Sequence, residues 1–306
     1  ANYGAMIKAF QAKYGIKVVS ANPNGSSQDE INAVKTLKGQ DRAPDVLDMG
    51  PAFAQSAAAE GLLAPYQVAT WQEIPADQKE PSGLWVYDYG GYMSIGYDAA
   101  KAPAPASIAD LAKPAYAGKV ALNGDPTKAG AAFATVYAAA LASGGSLGDI
   151  APGVDFFGKL KKSGNLIPVQ ASPATIESGQ TPVVLDWDYL NAAATTKLKG
   201  KVDWKVVVPS DALYASFYAQ SVSKSAPHPA AARLWQEFLY SDEGQNIWLQ
   251  GKARPVRLPA MEKAGTADKA ALSALPPVSG SPKFPTTAQI DAAKAYVTKN
   301  WAKAVG

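Results

Sequence analysis

Apolar positions along the chain fall into two periods, one helical and one alternating, and the two take turns. Met6, Ile7, Phe10 and Tyr14 recur at helical spacing until Gly15 ends the run. Residues 16–19 read as a short strand and 22–27 as a loop, with a helix over 29–37 capped by Ser26 or Ser27. A second strand is expected over 43–48, ended by Met49-Gly50-Pro51, and a helix over 53–60 closed by Gly61. Trp85, Tyr87 and Tyr89 keep a period of two that Gly90 and Gly91 interrupt before a strand resumes over 92–97; such glycines mark a bulge or a close backbone approach. After the stiff Pro103–Pro105 connection come a short helix (107–111), a strand (118–122), an alanine-rich helix ending near 143–145 and a helix over 154–161. A helical turn (176–179) and strands over 204–209 and 216–223 complete the pattern.

Strands alternating with helices predict an α/β fold of mostly parallel sheets flanked by helices. One βα domain lies inside another: residues 1–95 with about 217–255 form a first lobe and 96–216 a second. The segment 256–306 is expected to be helical and to pack on one or both lobes. A doubly wound domain normally opens on a strand and this chain opens on a helix, so a first strand and its loop are expected upstream of Ala1.

The chemistry concentrates between Thr181 and Asn191. Val183, Val184 and Leu185 suit a strand buried on both faces, and Asp186, Trp187, Asp188 and Tyr189 fall where that strand should end. Ligands of open α/β sheets bind at strand carboxyl ends. The alternative is that the rings are core and the aspartates cap the next helix. If the backbone stays extended, both carboxylates face one side and Trp187 the other. Two carboxylates beside aromatic rings favour a cation, through charge-assisted hydrogen bonds and cation–π contact. Residues two apart on a strand are poorly placed to flank one scissile bond, so no catalytic role is expected of them.

Other strand-end candidates are Asn24, Ser26, Ser27, Gly50, Phe53, Tyr89, Gly90 and Tyr92 early in the chain, then Asp125, Thr127, Tyr218 and Gln220. Each has a plainer reading. Residues 22–25 are turn chemistry, and Gly50-Pro51 can simply stop a strand and start a helix. Asp125-Pro126 reads as an N-cap followed by proline at the first helical position, or as a helix terminus open to an anion. Tyr89 to Tyr92 is either a packed bulge or a ring-lined wall, and Tyr218 equally suits packing at a crossing strand.

Composition narrows the classes. At 306 residues, 47% hydrophobic and 18% charged, the chain has the make-up of two globular domains. No apolar run is long enough to span a membrane, and the opening residues read as an amphipathic helix, so an exported form would carry its targeting segment upstream. The absence of cysteine excludes disulfides, thiolate metal sites and cysteine nucleophiles. His228 is the only histidine, which excludes a multi-histidine metal site or a catalytic triad within the chain. A net charge of +3 with no long basic run gives nucleic-acid binding little support.

The run from Ala226 to Gly251, with His228, Pro229, Ala231, Ala232, Ser241, Glu243, Gly244 and Gln245, followed by Arg254-Pro255-Val256, resembles the late helical region of bacterial extracellular solute-binding proteins of ABC importers. Residues 45–64, 89–98 and 178–188 resemble the same family, most closely its type II group with iron(III)-, polyamine- and phosphonate-binding members. The resemblance implies a two-lobed fold with a ligand cleft between lobes and capture by hinge closure. It also implies a periplasmic or extracellular protein, with or without a lipid anchor, that works as a monomer, needs no cofactor or metal, and hands a small-molecule solute to a membrane permease. His228, set between two prolines, is a helix-entry residue. Iron(III) binders of the group present two adjacent tyrosines where this chain has Asp188-Tyr189-Leu190, which turns the expectation away from iron. A small polar, polyamine-like cation is favoured; an anionic organic acid or phosphonate, iron(III), or an enzyme on the same scaffold are the alternatives.

Overall fold

The computed structural model describes residues 3–23, 25–278 and 284–306. Helix α1 (Tyr3–Tyr14) buries Met6 and Phe10. Helix α2 (Ser27–Thr36) starts at a capping box in which Ser26 Oγ accepts from Asp29 N and Asp29 Oδ2 accepts from Ser26 N. Strand β1 (Val46–Met49), helix α3 (Pro51–Ala59), strand β2 (Leu63–Ala64) and the long strand β3 (Val86–Asp98) follow. Next come β4 (Val120–Leu122), α4 (Gly130–Ala142), α5 (Ala151–Lys162), β5 (Leu166–Gln170), α6 (Pro173–Glu177), β6 (Val183–Trp187), α7 (Asp188–Lys197) and β7 (Trp204–Val207). The chain ends with β8 (Ala215–Ser223), α8 (Pro229–Leu239), α9 (Asp242–Gln250), β9 (Arg254–Pro255), α10 (Leu258–Ala264), α11 (Lys269–Ser273) and α12 (Thr287–Val305).

These elements form two compact units, Ala1–Gly90 with Phe217–Leu275 and Gly91–Ser216 with Pro276–Gly306. The polypeptide passes from one to the other within β3, within β8 and after Leu275. The C-terminal segment therefore divides, α10 and α11 belonging to the first unit and α12 to the second.

In the first unit β8 pairs antiparallel with β1 and β2, and the start of β3 pairs with β9. The amphipathic face of α8 is buried through Trp235, Phe238 and Leu239, and the Phe10 ring of α1 sits 5.0 Å from Trp235 and 5.6 Å from Phe238. Arg257 is buried against the Tyr240 carbonyl, with Glu73 and Asp242 as its ion partners. That paired geometry is what permits a guanidinium in a core.

In the second unit β4 runs parallel to β5 and β6, while the later half of β3 pairs antiparallel with β6 and β7. One face of this sheet closes over Ala121, Ile176, Val184, Leu198 and Trp204. Helix α4 is almost wholly buried, which is why it is apolar all round rather than striped. It meets α5 at Gly153, where an added Cβ would lie 2.1 Å from the Val136 carbonyl oxygen. Helix α12 docks Trp301 on Phe157, ring centroids 5.6 Å apart.

Several local expectations change. Residues 16–19 form no strand: Val18 N donates to the side chain of Gln11, and Val19 is 71% exposed. An apolar run becomes a strand only where a sheet edge receives it. Strand β5 escapes the pattern because it carries Pro168, a residue that strands tolerate only at sheet edges, and β5 pairs with β4 alone. Strand β3 continues unbroken through Gly90 and Gly91, and Gly91 marks a close approach and not an interruption. Residues 107–111 give a 3-10 turn at Ala109–Ala112 in place of an α-helix.

Candidate functional site

Strand β6 is buried along its full length, and the chain stays extended only as far as Trp187 (φ −59°, ψ 140°). Asp188 already belongs to α7, so side-chain alternation does not carry across the pair. The two carboxylates accordingly reach different elements. Asp186 Oδ2 accepts from Asn123 Nδ2, just past the end of β4, at 3.0 Å, and its Oδ1 accepts from Trp187 N at 2.8 Å. Asp188 Oδ1 accepts from Tyr92 N on β3 and from Tyr189 N, each at 3.0 Å.

Asp186 is 8% exposed and Asp188 fully buried. Burial pushes the Asp186 carboxyl up to about 6, against the opposing hydrogen bonds from Trp187 N and Asn123. Trp187 and Tyr189, each 2% exposed, hold their rings nearly parallel (7°) with centroids 6.3 Å apart. Behind them Ser94 Oγ donates to the Asp186 carbonyl and receives Asn191 Nδ2. Gly91 makes room for this packing: a Cβ there would lie 2.2 Å from Asp188 Oδ1 and 2.8 Å from the Tyr189 ring. Asp186, Trp187, Asp188, Tyr189 and Tyr92 thus form one connected group, with Asp188 in the first turn of α7 but Trp187, which makes no side-chain cap, at the N-cap position.

At the end of β4, Asp125 Oδ1 accepts from both Thr127 N and Thr127 Oγ1, a self-contained turn on the surface. The helix expected to start at Pro126 starts at Gly130, with Ala129 at its N-cap, so Asp125 caps the turn and not the helix. Asn123 was not among the candidates. Its signal was available, since it is the first polar residue after a buried apolar strand.

The first unit builds a separate group. Ser27 Oγ accepts from Gly50 N at 3.1 Å, joining the starts of α2 and α3, while Ser26 is engaged in its capping box. Phe53 is buried in the core of α3. Tyr89 donates to Asp48 Oδ2 at 2.7 Å and stacks on Tyr218, centroids 5.7 Å apart at 4°. Gln220 Nε2 reaches both Asp48 Oδ1 and the Tyr3 hydroxyl. Asn24 lies outside the described residues.

Around Tyr89 lies a cluster of acids that the sequence pattern did not single out. Desolvation pushes Asp48 up to about 6, with hydrogen bonds from Tyr89 and Tyr3 opposing it. Asp88 receives Gln245 Nε2 at 2.7 Å and Trp248 Nε1 at 3.0 Å, and burial together with the charge of Asp48 raises it well above the usual carboxylate range. Glu30, which accepts from Asp48 N, is raised by burial in the same way.

Among the described residues no group of three or more histidine, aspartate or glutamate side chains is arranged to hold a metal ion. No helix among them is long and apolar enough to cross a membrane.

Two α/β units threaded by shared strands, with polar and aromatic groups gathered at strand ends, are the architecture of two-lobed binding proteins. Residues 41–277 match the family of bacterial extracellular solute-binding proteins, and the chain belongs to that family. Family membership makes it a solute-binding protein of the ABC-importer type, periplasmic and not enzymatic in class. Over 99% of its length it is similar to iron-bound HitA from Pseudomonas aeruginosa, covering 95% of that chain at 24% identity with a TM-score of 0.73. It is similar over 99% to AfuA from Actinobacillus pleuropneumoniae with fructose-6-phosphate bound (95% of that chain, 18% identity, TM-score 0.75). It is also similar over its whole length to a periplasmic thiamin-binding protein (92% of that chain, 19% identity, TM-score 0.77). At these identities the likeness is one of fold. No curated protein matches the chain.

Proposed function

We propose that this protein captures a small polar solute of cationic, polyamine-like character and delivers it to the membrane permease of an ABC importer. Asp186 carries the reading. It is a nearly buried carboxylate at the carboxyl end of a central strand, and its hydrogen-bond donors among the described residues, Asn123 Nδ2 and Trp187 N, are both neutral. A carboxylate solvated by fixed dipoles gains from a cationic ligand that brings its own N–H donors. The indole of Trp187 and the phenol of Tyr189 alongside add faces suited to cation–π contact.

Tyr92, Asp125 and Thr127 stand on the same unit and are assigned as further contacts, whereas Ser26, Ser27, Gly50, Phe53, Tyr89 and Tyr218 belong to the first unit. Asp188 we assign to support: it is fully buried and accepts from Tyr92 N and Tyr189 N. Passage of the chain between units at three points supports capture by hinge closure. HitA holds iron and AfuA a sugar phosphate; a phosphate here would have to meet Asp186 after the carboxyl took up a proton.

Thermal-shift measurements against diamines, triamines, amino acids, organic acids and phosphonates test the proposal. A bound solute raises the melting temperature with concentration. Amines are expected to do so and phosphonates not; a response confined to anions would overturn the ligand class while leaving the family intact.

A further inference from the structure

Strand β8 and helix α8 of the first unit line a small cavity of about 10 Å³, with Gln220, Ser221 and Val222 on the strand, Gln236 on the helix, and Tyr66, Gly83 and Val86 beside them. Two of these residues each carry a buried polar atom, Ser221 Oγ and Gln236 Nε2, that makes no hydrogen bond among the described residues. The residues that carry them are 3% and 2% exposed. Native interiors leave few such groups unmatched, because a buried donor or acceptor forfeits its hydration without replacement. The wall beside them is tightly drawn. Gly83, at φ 88°, accepts at its carbonyl from Tyr66 N, and a Cβ there would lie 2.7 Å from the Tyr66 carbonyl oxygen.

We infer that this cavity is a binding site for one internal water, held by Gln236 Nε2 as donor and by Ser221 Oγ. The size is that of a single water, and the two unmatched atoms supply the minimum of two polar partners that a buried water needs. An apolar occupant would leave both atoms unmatched, and a cation would meet the Gln236 amide hydrogens; water alone accepts from the amide and exchanges a hydrogen bond with the hydroxyl. The site ties the mid-strand of β8 to α8 directly behind Gln220, the residue whose side chain binds Asp48 and Tyr3. The water is thus a structural ligand of the unit and independent of which solute the protein carries.

Water-to-protein cross-relaxation in isotopically labelled full-length protein tests it. A long-lived water is expected to give cross-peaks of rigid-frame sign to the Gln236 side-chain amide and to the backbone amides of Ser221 and Val222. Gln236→Met, close in volume and without a donor, is expected to abolish them, and Ser221→Ala to weaken them. A crystal structure of the wild-type protein gives an answer that depends on no variant, with a density peak within hydrogen-bonding distance of both side chains. Assigned amides without water cross-peaks, an empty cavity in that density, or cross-peaks unchanged in both variants would each overturn the inference.

Discussion

Asn123 Nδ2 lies 3.0 Å from Asp186 Oδ2, so the carboxyl ends of the adjacent parallel strands β4 and β6 are fastened by one side-chain hydrogen bond. The bond fixes the carboxylate that the proposed solute would meet and leaves it without a formal countercharge at that oxygen. Asn123→Ala is expected to cost about 1.5–3 kcal/mol near neutral pH, the range for a lost hydrogen bond to a charged group, read from urea unfolding. The same variant should move the Asp186 titration further up, since a donor that favours the ionised form is gone.

Asp186 also sets a pH dependence with a definite sign. Its folded value of about 6 lies above the unfolded aspartate value of about 3.9, so the native state binds the extra proton between those limits. Its contribution is therefore favourable relative to the ionised protein at pH 4 and is lost as pH rises through about 6. Two units correspond to about 3 kcal/mol as an upper bound. Compared with Asp186→Asn, which cannot titrate, the wild type should lose stability progressively from pH 4 to pH 6.5. A constant difference across that window would remove the buried, ionisable Asp186 from the account.

Gly91 is expected to tolerate no side chain. Gly91→Ala would push into Asp188 Oδ1 and the Tyr189 ring, and should destabilise by about 1–3 kcal/mol, as overpacking does. Thermal unfolding measures it. Gly4→Ala in α1 is the control, since a Cβ at Gly4 meets nothing within 4 Å; it should be neutral or stabilising by helix propensity.

The fold was legible in the sequence where one physical signal decided the outcome. Ser26 or Ser27 announced the cap of α2, which is Ser26, and Pro229 after His228 announced the start of α8. Val183 to Leu185 announced a buried strand with a polar end. It was illegible where tertiary context overrode the local pattern. Residues 16–19 have strand-like residues without a sheet edge that takes them, and β5 is a strand despite Pro168. The candidate site divides in the same way. Asp186 to Tyr189 read as a strand-end cluster, but alternation could not show that the chain turns helical at Asp188 and sends the two carboxylates to different strands. Asn123, Asp48 and Asp88 acquire their roles from partners 41 or more residues away, in Asp186, Tyr89, Gln245 and Trp248, which no local period encodes.

The central claim is that Asp186 selects a cationic solute, and calorimetric titration of wild type and Asp186→Asn with a linear triamine at pH 7.5 tests it most directly. The account expects saturable one-site binding to the wild type, weakened at least tenfold in Asp186→Asn, about 1.4 kcal/mol or more, while the variant keeps its cooperative unfolding. Equal affinity in both proteins, or heat from phosphonates or organic acids with none from amines, would contradict it.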